Sequence, residues 1–155
     1  MGWFKGTRTL PLLLSLLNEK NVSGSSDPRS TYLELLARQM GEGIVEMGHE
    51  KDHAFASGYS SSRGARTWND NMKILKENGL IKTQHISGRL RYVLIGHPTV
   101  VVQRLKEQDK VPDDWWNSYL ERKRETKEPT YEQREKKRKA AAKIVPIKAA
   151  LGKKG

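Results

Sequence analysis

Between Ser61 and Pro98 the spacing of apolar residues changes once, and that change limits what the chain can fold into. Trp68, Met72 and Leu75 fall on one face when each residue is turned by about 100°, and Ala65 lies close to it. Glycine suits the left-handed position after a helix C-terminus, so "ENG", Glu77 to Gly79, is a stop. Two strands, "LIKTQ" and "LRYVLIG", then flank "HISGR", and Pro98 closes the unit. The sequence predicts a helix feeding a β-hairpin. The polar side of that helix carries Arg63, Arg66, Asp70 and Lys73, flanked by Thr67 and Asn69.

The surrounding pattern is helical. Thr9 can cap a helix with Pro11 in its first turn, and Leu10, Leu13, Leu14 and Leu17 recur at helical spacing until "NVSGSSDPRS" breaks it. Thr31 to Met40 repeats the pattern with Leu33 and Leu36, and Tyr32 as a further candidate. "EGIVEM" reads as one short strand. Glu50 to Ser57 forms a short helix with Ala54 and Phe55, closed by Gly58, and Ser60, Ser61 or Ser62 caps the next. Thr99 to Glu107 offers Val100, Val101 and Leu105 for packing, while Asp113 and Asp114 cap a helix with Trp116 and Leu120 one turn apart. The expected division is a domain over residues 1–120 and a basic helical or disordered tail over 121–155, because apolar residues thin out from Arg122.

Charge is uneven along this chain. The formal net charge is +11, of which the stretch beyond Leu120 holds +8 and Tyr59 to Arg91 holds +5, leaving the rest at −2. Local excess of this kind predicts attraction to a polyanion at the helix, the hairpin and the tail. Cations in the tail would add affinity that is independent of sequence and steeply dependent on salt.

Zero cysteines exclude a disulfide scaffold and a thiolate zinc finger, and fit a cytoplasmic setting. Lys5 and Arg8 before "LPLLLSLL", with "VSG" after it, resemble a leader, but the run is short and Glu19 and Lys20 follow, so a core helix is expected. Gly2 lacks the Ser or Thr that N-myristoylation expects, since the sixth residue is Gly6. No run reaches the roughly 20 apolar residues that span a bilayer.

The order of "DHAFASGYSSSRGARTWNDNMKILKENGLI" and "KTQHISGRLRYVLI" resembles the winged helix-turn-helix DNA-binding family over about residues 31–98. The resemblance implies a mainly α fold with a small β-hairpin, here with added N- and C-terminal helices. It also implies a supporting helix at Asp52 to Ser57, a major-groove reader at Arg63 to Glu77, and a wing at Gln84 to Arg91. The turn "GYSSSRG" is longer than the compact version, which leaves the start of the reader open.

Arg presents two parallel donors to guanine and Asn does the same for adenine, so Arg63 and Arg66, then Asn69, are expected at base edges. Ser61, Ser62, Thr67, Lys73, Arg89 and Arg91 are expected at phosphates, with Gln84 in the wing. The expected function is non-catalytic binding of double-stranded DNA by a transcriptional regulator or an accessory factor of replication or a mobile element. A winged-helix module for protein or RNA is the alternative.

"HEKDH", His49 to His53, matches the H-E-x-x-H of zinc peptidases, in which two histidines one turn apart hold the metal. Charged Lys51 and Asp52 at its centre, Gly48 just upstream and the lack of a familiar third ligand oppose that use. No catalytic residue, metal, cofactor or small-molecule ligand is expected. Trp115 and Trp116 are expected to fasten the C-terminal helix to the domain, with a homodimer contact as the competitor.

Overall fold

The computed structural model describes residues 8–152, with side chains for 8–143. Gly2, Lys5 and Gly6, invoked above for myristoylation and a leader, lie outside the described residues.

The chain is mainly helical with a small three-stranded antiparallel sheet. In order come α1 (Leu10–Leu17), α2 (Lys20–Ser23), α3 (Arg29–Arg38), β1 (Ile44–Glu46), α4 (Glu50–Ala56), α5 (Gly64–Glu77), β2 (Ile81–Ile86), β3 (Arg89–Ile95), α6 (Pro98–Glu107), α7 (Asp113–Glu125) and α8 (Tyr131–Gly152). Several expected boundaries move, α3 among them, which runs Arg29–Arg38 and not Thr31 to Met40. The break after α1 contains the short α2, and Pro98 opens α6 instead of closing the hairpin, because its missing N–H costs nothing in a first turn.

The apolar face of α5 is buried as its spacing predicts, through Trp68, Met72 and Leu75. Gly79, at φ 74°, ends the helix: its N–H donates to Lys76 O at 3.1 Å and the N–H of Leu80 to Leu75 O at 2.9 Å. These paired bonds satisfy carbonyls that the helix leaves open. On α3 the buried residues are Tyr32, Leu35 and Leu36, whereas Leu33 is 42% exposed. With three leucines in four positions, side-chain identity alone does not choose the face. Phe55 on α4 is exposed as well, leaving His53 and Ala54 as its core contributions.

The hairpin turn is tighter than "HISGR". Ser87 and Gly88 alone connect β2 to β3, both with positive φ (52° and 76°), the two-residue geometry that matches strand twist. β1 then pairs with β3, so the strand order is β1-β3-β2 and Val45 sits opposite Val93. Val45, Ile81, Val93 and Ile95 are buried on the face that meets the helices. A register shift between Gln84 and His85 leaves Arg91 as the extra residue on β3 and lets the preceding residue, Leu90, pack against the core.

The expected division after Leu120 falls inside α7. Lys123, the third residue of the expected tail, is buried, and its Nζ donates to Thr99 Oγ1 at 2.8 Å and Pro129 O at 3.0 Å. Trp115 is buried too, donates from Nε1 to Leu12 O at 3.0 Å, and so ties α7 to α1. Trp116 lies half-buried beneath the ammonium of Lys106. Among the described residues no helix is long and apolar enough to cross a membrane.

Candidate nucleic-acid interface

The start of α5 is fixed by Tyr59. Its N–H donates to Ala54 O, and its hydroxyl is held by Asn71 Nδ2 at 2.9 Å and Thr31 Oγ1 at 3.2 Å. Its carbonyl then lies so close to Gly64 that a Cβ there would meet the oxygen at 2.0 Å. The long turn is therefore wedged against α3 and α5, and glycine is required at the first helical residue. None of the serines caps the helix: Arg63 is the N-cap residue without a side-chain cap bond, and Ser61 Oγ accepts only from the N–H of Arg63, at 3.3 Å.

From that start, helical rotation carries Arg66, Asn69 and Lys73 out on one exposed stripe, with Thr67 half-buried beside it. Ser61, Ser62 and Arg63 are exposed just ahead of it. Arg63, Arg66 and Arg89 form no ion pair within the described residues, whereas Lys73 Nζ lies 3.8 Å from Glu77 Oε1. Guanidinium groups left in water like these remain available to an incoming anion.

Asn69 of α5 and Arg89 of β3 line the same concavity, about 580 Å³, together with Glu50, Lys51, Trp68 and Leu90. Helix and hairpin thus share one surface at this point. Two residues depart from that arrangement. Arg91 Nη2 is paired with Glu46 Oε1 of β1 at 3.2 Å, and Gln84 stands with Tyr92, Leu94 and Ile44 around a separate groove on the open face of the sheet. Asn69 Nδ2 itself donates to Glu50 Oε2 at 3.0 Å. The concavity therefore mixes cations with carboxylate acceptors.

The two histidines of "HEKDH" have separate fates. His49 is the exposed N-cap residue of α4 with an extended backbone, so it does not share a helical face with His53. His53 is fully buried: Nε2 accepts from the N–H of Gly48 at 2.9 Å, which leaves Nδ1 to donate toward Glu34 Oε1 at 3.4 Å. Burial, then the nearby Arg38 guanidinium, lowers its pKa, while Glu34 and Asp52 act in the opposite sense. Both ring nitrogens are occupied within the core. Among the described residues no group of three or more His, Cys, Asp or Glu is placed to hold a metal ion.

The sequence reading missed Tyr59 and Asn71, and the bond from Asn69 to Glu50. Gly64 was the available signal for Tyr59, since close approach of backbone is one of the uses of glycine. Compared with known proteins, the chain matches no family model, no curated protein and no solved structure.

Proposed function

We propose that residues 29–95 form a winged helix-turn-helix unit and that the chain binds double-stranded DNA without catalysis, as a transcriptional regulator or an accessory factor of replication or a mobile element. In this reading α4 supports, α5 reads the major groove through Arg66 and Asn69, and the β2–β3 hairpin is the wing. The observation that carries it is the concavity shared by Asn69 and Arg89, because a duplex can engage a helix and a ribbon together only from one side. Arg63, Arg66 and Arg89, free of ion pairs among the described residues, supply donors for phosphates and purines.

A mobility-shift titration at two salt concentrations tests it. Tight, salt-sensitive binding weakened by Arg66→Ala or Arg89→Ala is expected; unchanged affinity in both variants discards the assignment.

One feature favours the protein-docking alternative. Ile44 and Leu94, opposite each other on β1 and β3, are 43% and 46% exposed on the open face of the sheet. Recovery of a defined partner after nuclease treatment would support it.

A further inference from the structure

A second concavity, about 620 Å³, lies between α6 and α8, and its lining includes Val100, Pro129, Arg134, Glu135, Lys137 and Arg138. Glu135 is the one carboxylate among its lining residues, and it is engaged with Arg138 at 2.9 Å. Beyond it, Lys136, Lys137, Arg138, Lys139 and Lys143 follow with no acidic residue between them, and every described residue of that stretch is exposed. Residues 136–139 are cationic at every position and all exposed, so this part of α8 presents a cationic surface to solvent.

Its place in the fold is set by His97. Arg134 Nη1 lies 2.5 Å from His97 Nε2, and His97 stands just past β3, at the end opposite the Ser87–Gly88 turn. Seven strand residues at about 3.3 Å each separate the two ends by roughly 20 Å. A phosphate that touches Arg89 is therefore too far away to touch this notch.

We propose that the notch between α6 and α8 is a second contact for the phosphate backbone of nucleic acid, one that lengthens the footprint without reading sequence; the inference rests on the DNA-binding reading above. Charge complementarity selects the occupant. The notch, which Tyr131 also lines, offers Arg and Lys donors in an open setting, and such donors suit a phosphate backbone.

The test uses the full chain and a 30-base-pair duplex of random sequence, with fluorescence anisotropy from 50 to 200 mM salt. In a variant carrying Lys137→Ala and Arg138→Ala, the slope of log affinity against log salt should fall by about 0.9 for each phosphate no longer neutralised, with sequence preference unchanged. Glu135→Gln, which releases Arg138, should steepen it. If wild type binds and both variants keep its slope, the notch does not touch the duplex while the DNA-binding reading stands. Absence of salt-sensitive duplex binding by wild type would overturn both. Vesicles containing phosphatidylserine form the second arm: loss of vesicle binding in the double variant, with duplex slope intact, would assign the notch to membranes and overturn the proposal.

Discussion

The imidazole of His53 lies flat against the indole of Trp68, with ring centroids 5.2 Å apart and planes inclined by 16°. That stacking joins α4 to α5 through the core, directly behind the concavity shared by Asn69 and Arg89. Burial and the ring's hydrogen bonds favour the neutral form, in which Nε2 accepts from the N–H of Gly48 and Nδ1 donates toward Glu34.

Acid should therefore weaken the fold before ordinary carboxylates titrate. His53 is held below its usual 6.5 by burial and by Arg38, and His97 is pushed down to about 4 by burial, Arg134 and Lys123. His97 faces the N–H of Thr99 at Nδ1 and the Arg134 guanidinium at Nε2; a neutral ring can accept from one of them, whereas a protonated ring can accept from neither and meets a like charge at Arg134. Unfolded histidines take up protons near pH 6.5, so between there and pH 4 the unfolded chain binds more of them. Stability is full above pH 6.5 and falls as pH drops through that window, by on the order of 2 kcal/mol from His97 after allowance for partial exposure. Urea midpoints at pH 7.5 and 4.5 measure it. A His97→Gln variant with undiminished pH dependence would remove His97 from the account.

The Gly64 position gives a second expectation. A Cβ placed 2.0 Å from Tyr59 O cannot be absorbed by a side-chain rotation, so backbone must shift at the start of α5. Gly64→Ala should cost about 1–3 kcal/mol. Gly41, with open space around its would-be Cβ but φ at 90°, is the control for backbone strain without a clash. Thermal unfolding of both variants decides: equal destabilisation would mean that close approach is not what demands glycine at Gly64.

How much of this was legible beforehand depends on the range of the interaction. The buried face of α5, its glycine stop and the hairpin are encoded within a few residues, and all three are where their spacing predicts. The pairing of β1 with β3 joins Val45 to Val93, and a three-residue strand carries no mark of its partner. Lys123 looks like surface charge by type, yet Thr99 and Pro129 supply acceptors that let it be buried. Leu33 and Leu35 are chemically alike, so only tertiary packing decides which of them faces in. In the candidate site, exposure of Arg66 and Asn69 follows from helical rotation, whereas Glu50 reaches Asn69 across 19 positions and leaves no local trace.

Pairing within the protein ranks the hairpin arginines. Arg89 makes no ion pair within the described residues, while Arg91 is already paired with Glu46 at 3.2 Å and would have to exchange one anion for another. Arg89→Ala should lower the salt slope of duplex binding by about one, and Arg91→Ala by less than half of that. Glu46→Gln should make Arg91 behave like Arg89. If Arg91→Ala proved the more damaging of the two, the ion pair would not be restraining Arg91.

Glu50 should act against indiscriminate binding. Its carboxylate faces the same concavity as Arg89, where an approaching phosphate meets a like charge, and it holds the Nδ2 of Asn69 that would otherwise be a free donor. Removing it as Glu50→Ala relieves repulsion worth about 1 kcal/mol at the surface, so affinity for a random duplex should rise roughly fivefold at low salt. The gain should fade as salt increases, since the effect is Coulombic between exposed groups. Discrimination between a preferred and a random duplex should narrow at the same time, because Asn69 loses the bond that fixes its amide. Anisotropy titrations of both duplexes with both proteins give the four affinities required. Weaker binding to random duplex by Glu50→Ala would show instead that the carboxylate supports the interface, as a scaffold for Asn69 or as an acceptor for a base amino group.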